Sequence, residues 1–550
     1  MALLLDIFGF LSVVLRGLVL STQSLVIGGI VFLSFIVGPV AQKLGSVGDA
    51  AMTRGRRLLF WSALTFAGAE LAFVVLECVV LAGTMGIPLS TAFGAAFARF
   101  GLVAAGAAAA IAFLVRSGLM RTRIAALFAL ALAALAAQVA TSHAAAQIGS
   151  RTVLLIADFL HMAAAAAWIG GIPYFLLVLY RTDDARAHAL VGRRFSMLLI
   201  WTVAVLVGAG LVMAVAYVGS VDAIYGTAYG VMVATKVVLL LALLFFGAMN
   251  NRIIARMTRD PGVSVLRVRR FAEVEIAIGF TVLFAAASLT SQPPAADLLG
   301  DRASLSDIAE RFAPRWPRFT SPDRDQLGLF ALQKQIDAAA ANNAPRPQAY
   351  VPGEGILPPR NAADIAWSEY NHHLAGLLVL AIGLLALLDR AGKAPWARNW
   401  PLLFLLLGGF LWIKADPEVW PLGDVGFWAS LRDPEVVQHR VFCLLIAGFG
   451  IFEWRVRTGR ITSPRAALVF PGIVALGAAL LLTHSHALSN IKEQLLIELS
   501  HVPLALAGMT AGAARWLELR LDGPGSRVAG WVWPPAFMIV GLILLLYREA

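Results

Sequence analysis

The sequence predicts an all-α fold, a polytopic transmembrane helical bundle of about 14 spans. Two observations carry this. Of 550 residues, 59% are hydrophobic and only 14% are charged, against roughly 25% charged in soluble domains. The apolar residues also gather in runs of about 20, the length at which a helix crosses ~30 Å of hydrocarbon. So apolar a chain cannot cover its surface in water, which excludes a soluble domain, a coiled coil or a disordered segment. Cys78 and Cys443 are the two cysteines, each inside an apolar run. Neither a disulfide framework nor a thiolate zinc site is expected from them.

In chain order the expected spans are 11–38, 58–85, 93–115, 122–140, 152–180, 196–218, 228–249 and 271–291, then 366–388, 399–414, 435–453, 466–484, 494–514 and 531–547. The first run is too long for a cleaved leader, and no small-residue cleavage site follows a short apolar stretch. Orientation follows from the loops. The odd-numbered connections, at 41–57, 116–123, 181–194, 250–270, 389–398, 454–465 and 515–530, hold 27 Lys and Arg residues. The short even ones hold about one each or none. The positive-inside rule then puts the odd loops in the cytoplasm and both termini outside. The net charge of +11 is thereby read as a topology signal, not as a polyanion-binding surface, and nucleic acid is excluded.

One even loop stands apart. Residues 292–365 form a 74-residue segment on the outer side, rich in Pro, Ala, Asp and Arg, with a helix expected near 326–341. Loops of that length are functional or disordered more often than not. The segment divides the chain into an eight-span domain at 1–291 and a six-span domain at 366–550.

Chemistry-bearing residues concentrate on one side. His188 lies in a basic cytoplasmic connection and reads as solvated. The other eight, His143, His161, His372, His373, His439, His484, His486 and His501, all map to the outer half of a span or to an outer loop. Several have a carboxylate one helical turn earlier: Asp158 before His161, Glu369 before His372, Glu435 before His439 and Glu498 before His501. Residues three or four apart share a helix face. Such a pair supplies two metal ligands, or one ligand and the carboxylate that fixes its tautomer. The bland alternative for any single site is a hydrogen-bonded interfacial histidine. Ionisable groups within a bilayer are costly and face a cavity or a partner. Imidazole suits copper, zinc, iron and nickel alike, so ligand chemistry alone does not name the metal. Glu70 and Glu77 share one face of the second span and, with Lys236, are candidates to line an ion path. Glu77 and Arg99 lie at similar depth and are expected to pair.

These residues carry a family resemblance. The stretch Asp158-Phe159-Leu160-His161 through Trp168-Ile169-Gly170-Gly171 is similar to a helix of CopD-type copper resistance proteins. The next three spans resemble the CopD domain itself: Arg194-Phe195-Ser196, Gly208 and Gly210, Gly219-Ser220, Gly226-Thr227-Ala228-Tyr229-Gly230, Lys236, Asn250-Asn251-Arg252, Glu275 and Leu289 to Pro294. The resemblance is specific over about 140 residues and extends more weakly over about 1–294. It implies a bacterial inner-membrane protein that moves copper ions, most often described as import, together with a separate periplasmic carrier of the CopC type. The six-span domain lies outside the resemblance, although it holds six of the eight outer histidines.

Two other readings stay open. The histidines of the six-span domain, on facing helices, suit axial ligation of haem b in an electron-transfer subunit. The long outer loop suits a non-transporting factor that delivers periplasmic copper to another membrane complex. Catalysis is not expected, since no HExxH, GxSxG or Walker motif is present.

Overall fold

A computed structural model of the chain describes residues 2–118, 122–147, 149–180, 184–260, 262–298, 300, 302–342, 360–483 and 491–549. Among these residues the architecture is helical, and the only β-type pairing is an isolated bridge between Val419 and Val425. The first long helices are α1 (Ala2–Val31), α2 (Ser46–Met85), α3 (Ala96–Arg116), α4 (Ile124–Val139), α5 (Arg151–Ile169), α6 (Ile172–Leu179), α7 (Ala185–Tyr217), α8 (Ala228–Met257) and α9 (Leu266–Thr290). After α10 (Gly328–Ala341) come α11 (Ala362–Arg390), α12 (Leu403–Lys414), α13 (Pro434–Arg457), α14 (Val469–Leu481), α15 (Ile491–Arg520) and α16 (Gly523–Leu545).

Each expected span coincides with one of these helices, the fifth being shared by α5 and α6. Among the described residues, eleven segments are long and apolar enough to cross a membrane, while Ile124–Val139 and Ala466–Leu481 are apolar but shorter. Helices begin where their caps lie. Asp184 accepts from Arg186 N at 2.9 Å, Thr227 from Gly230 N, and Asn361 and Asp364 form a reciprocal capping box. Each cap satisfies an amide that the first helical turn leaves open. The Asp184 cap starts α7 eleven residues before the apolar run predicted at 196. His188, expected to be solvated, is therefore drawn into a packed helix and is only 2% exposed.

The chain forms two compact units. One comprises Gly9–Ser304 with Ala479–Leu495; the other comprises Met1–Phe8, Leu305–Ala478 and Leu496–Ala550. In the first unit α2 packs on α3, α3 on α4, α5 on α7, and α8 on both α7 and α9. Glycine permits the closest approaches. A Cβ on Gly170 would lie 1.8 Å from the Ser24 carbonyl oxygen, and one on Gly28 would lie 2.3 Å from the Gly170 carbonyl carbon. The Gly170-Gly171 step between α5 and α6 is thus where this span touches the backbone of α1. In the second unit α11 packs on α16 and α12 on α13. Gly376 meets the Leu545 backbone and Gly541 the Leu380 backbone, the small-residue contact common between membrane helices.

The long segment is shared between the units. Its early part is clamped to the α7–α8 connection. Arg302 donates to Ser220 Oγ at 2.8 Å and Asp222 Oδ2 at 2.6 Å, and Ala303 N donates to Gly226 O at 3.0 Å. With Ser220 and Arg302 donating to it, the Asp222 carboxyl is held below its ordinary range. The later part contains α10, close to the predicted 326–341, and Gly328 N donates to Asp364 Oδ1 at 3.0 Å. Its described residues therefore pack on the two units and do not behave as a bare linker.

Candidate functional site

The first unit encloses a chain of polar groups. Arg16 on α1 donates to Gln138 on α4, and Gln138 in turn bonds Glu70 on α2. Glu70 is 3% exposed, and its Oε2 has no partner. Arg16 also lies in electrostatic reach of Glu77 and Asp158. Glu77 makes no ion pair with Arg99, which is exposed; the expected pairing is replaced by the attraction of Arg16. Depth along the chain was a poor guide here, because α3 turns Arg99 outward.

Asp158 on α5 continues the chain. It accepts from Ser142, and Lys236, Arg16 and His143 surround it electrostatically. His143 sits in the α4–α5 connection, where its ring bonds the Thr290 backbone while Nε2 is buried without a partner. Burial pushes His143 below the ordinary imidazole range, against the nearby Asp158 and Asp297 carboxylates. It is accordingly neutral and ligand-competent at pH 7. Its ring faces Tyr217 at 6.3 Å, and Tyr217 faces Tyr229 at 6.4 Å. The Tyr217 hydroxyl is also buried without a partner. Buried polar atoms are normally satisfied. Two orphans around one carboxylate mark a place where a polar guest fits.

His161 lies one turn beyond Asp158. Its Nδ1 is 3.0 Å from Leu206 O on α7. Since a carbonyl only accepts, Nδ1 carries the proton and Nε2 keeps its lone pair. A Cβ on Gly210 would come within 3.2 Å of the His161 ring. The absence of a side chain there makes room for the imidazole. Lys236 lies in electrostatic reach of both Asp158 and His161. A separate buried pair, Asn250 and Glu275, joins α8 to α9.

The second unit treats its histidines differently. His373 accepts from Arg318 N at Nδ1, 2.6 Å, and Nε2 donates to Tyr547 O at 2.7 Å. Both ring nitrogens are engaged by backbone, so neither a metal nor a haem iron finds a lone pair there. His372 donates from Nδ1 to Ser368 O at 2.9 Å and stacks on Tyr547 at 4.0 Å. Glu549 bonds Ser368 and pairs with Arg360 at 2.9 Å. Although its burial favours the neutral form, the Ser368 hydroxyl and Arg360 hold the Glu549 carboxyl below its ordinary range. Glu369 pairs with Arg318 at 3.6 Å, and not with His372. His439 Nδ1 meets Asp416 Oδ1 at 2.7 Å, while Glu435, one turn earlier, is exposed. Glu498 is buried, and His501 Nδ1 lies 3.5 Å from Ser500 Oγ. His484 and His486 lie outside the described residues.

Among the described residues, no three His, Cys, Asp or Glu side chains converge as a metal-holding group. What is brought together is the set Arg16, Glu70, Glu77, His143, Asp158, His161 and Lys236 of the first unit. Gln138 joins this set through Arg16 and Glu70. Ser142, Tyr217 and the Leu206 carbonyl were not singled out, since nothing in their spacing marks them.

Comparison with known proteins bears on the same helices. No solved structure matches this chain. A stretch of 162 residues is 35% identical to the copper transport protein CutJ of Bacillus subtilis (strain 168). It spans 29% of this chain and 29% of the relative, so less than a third of either is covered. Residues 189–289 match the family described as Copper resistance protein D. This is narrower than the expected 1–294 and leaves the His161 helix outside, but it includes Leu206, Gly210, Tyr217, Tyr229 and Lys236, one wall of the polar chain. The protein is thus a multi-pass membrane protein whose residues 189–289 match the Copper resistance protein D family.

Proposed function

We propose that this protein takes up copper ions from the outer side of a bacterial inner membrane through the polar chain of its first unit. The observation that carries this reading is the convergence of the CopD residues Leu206, Gly210, Tyr217, Tyr229 and Lys236 on Asp158, His143 and His161. His143 Nε2 and His161 Nε2 are the lone pairs offered to the ion, and Asp158 is the anionic ligand between them in sequence. Burial that keeps His143 neutral favours capture, because a ligating imidazole must be deprotonated. Lys236 and Arg16 hold positive charge beside the carboxylates. A cation seated there is held weakly enough to leave again, as conduction requires. Glu70 and Glu77 are the next carboxylates along Arg16 and would receive it.

The basic odd loops support cytoplasmic delivery, with both termini outside. A separate carrier of the CopC type would present copper at the His143 side. In the second unit, His372, His439 and His501 with Asp416 are secondary contacts for the ion in this reading. The test is copper content of cells expressing the chain, with His161→Ala, Asp158→Asn and His484→Ala/His486→Ala variants. Loss in the first two supports the passage. Wild-type content in all three, at equal protein level, overturns it.

A further inference from the structure

A cavity of about 710 Å³ opens between α2 and the end of α3, lined by Thr53, Arg56, Arg57, Phe60, Trp61 and Arg116. The five α2 residues fall at positions i, i+3, i+4, i+7 and i+8, so they form one face of that helix. Arg116 joins them from the opposite wall. Three guanidinium groups converge there, and none forms an ion pair with a carboxylate among the described residues. The C-terminal end of α3 would repel an anion through its open carbonyls. Arg56 answers part of this by donating to Val115 O at 3.2 Å, leaving Arg57 and Arg116 to face the cavity.

Below the arginines the surface turns apolar. Phe60 and Trp61 meet edge to face at 5.2 Å. From Trp61, exposed apolar residues continue along one stripe of α2: Trp61 57%, Leu64 45%, Leu71 46% and Val75 41%. Gly68 leaves open space in that stripe, since a Cβ there meets nothing within 4 Å. From Trp61 to Val75 the stripe runs roughly 21 Å at 1.5 Å per residue, somewhat more than one leaflet of a ~30 Å hydrocarbon core. A free anion would use the guanidinium groups and ignore the stripe.

We propose that this cavity is a binding site for an anionic phospholipid, its phosphate held by Arg57 and Arg116 with the Thr53 hydroxyl, and its acyl chain laid along Trp61, Leu64, Gly68 and Leu71. Basic side chains that only report orientation would be spread over their loops. Here residues from two separate helices meet in one recess with an aromatic floor. The site is distinct from the copper passage and shares no residue with it.

Native mass spectrometry of the delipidated full chain tests this, titrated separately with phosphatidylglycerol, phosphatidylcholine and inorganic phosphate. Phosphatidylglycerol should bind at least about five-fold more tightly than phosphatidylcholine, and Arg57→Gln and Arg116→Gln should each weaken it by about five-fold. Both residues are exposed, so these variants fold; Arg56, which holds the Val115 carbonyl, is left intact. Trp61→Ala should weaken both lipids alike. Millimolar phosphate should leave lipid binding unchanged. Equal binding of the two lipids, or wild-type affinity in both arginine variants, overturns the proposal. Displacement of the lipid by phosphate makes this a free-anion site and also overturns it.

Discussion

His161 is the residue on which the proposed copper passage can be tested most finely. Its Nδ1–H is spent on Leu206 O at 3.0 Å, which aims Nε2. Gly210 stands against the ring, where a methyl group would come to 3.2 Å. Two substitutions therefore separate ligand loss from ligand displacement. His161→Gln keeps a donor for the Leu206 carbonyl and removes the imidazole. Losing the neutral hydrogen bond geometry costs about 1 kcal/mol of stability. Gly210→Ala keeps the imidazole and pushes it by a few tenths of an ångström. Disturbing the support of a metal-binding histidine typically costs 10–100-fold in affinity, and removing the imidazole should cost at least as much. The expected result is a copper affinity about 100-fold lower in His161→Gln and about tenfold lower in Gly210→Ala, or roughly 2.8 and 1.4 kcal/mol. Competition against a chelator of known affinity on the purified protein reads this, and circular dichroism confirms that both variants remain helical. Wild-type affinity in both would refute the assignment of His161 as a ligand.

Three further outcomes follow. Asp158→Asn removes the carboxylate that faces Lys236 and Arg16 and should lower thermal stability in detergent by about 3 kcal/mol, with Asp158→Asn/Lys236→Met recovering stability but not copper uptake. In the second unit Glu518 accepts from Arg390 Nη1 at 2.7 Å, Arg515 Nη1 at 2.5 Å and Trp533 Nε1 at 2.7 Å. Glu518→Gln should cost about 3–5 kcal/mol of stability and leave copper binding by His161 intact. Burial pushes the Glu418 carboxyl up to about 7, with Asp416, Asp433 and Glu435 adding to it against its own backbone amide. A carboxyl raised in the folded state contributes stability that is full below its unfolded pKa near 4.5 and lost as pH rises through about 7. Glu418→Gln should flatten the fall in melting temperature between those values, a contribution of roughly 3 kcal/mol, and an unchanged slope would remove Glu418 as its source.

The spans were legible because lipid imposes a single demand, a run of apolar residues long enough to satisfy its own backbone. That demand places α8 at residue 228 without error. It misjudges the start of α7, because Asp184 caps a helix whose first eleven residues carry Arg186, His188, Arg193 and Arg194 among their apolar side chains. The resemblance placed Gly170-Gly171, but only the structure gives its reason, the contact with the Ser24 carbonyl. The spacing of Asp158 and His161 marked α5, which the structure packs against Ser142, Leu206 and Lys236. It did not foresee that Asp158 turns to Ser142, that His161 turns to Leu206, or that His143 joins them from a connection. In the second unit the spacing left out partners that lie elsewhere in the chain, although Glu435 stays in electrostatic reach of His439. Glu369 goes to Arg318 and His439 to Asp416, because residues distant in sequence offered better-placed partners than those one turn away. Helical periodicity reports a shared face, and tertiary packing decides what that face meets.

Copper flux into proteoliposomes of the purified protein tests the central claim most directly, read as metal retained inside after external copper is chelated. The passage predicts time-dependent accumulation by the wild type and at least a tenfold slower rate for His161→Gln reconstituted at equal density. Accumulation that proceeds at the same rate in His161→Gln, or a wild type no faster than empty vesicles, would contradict it.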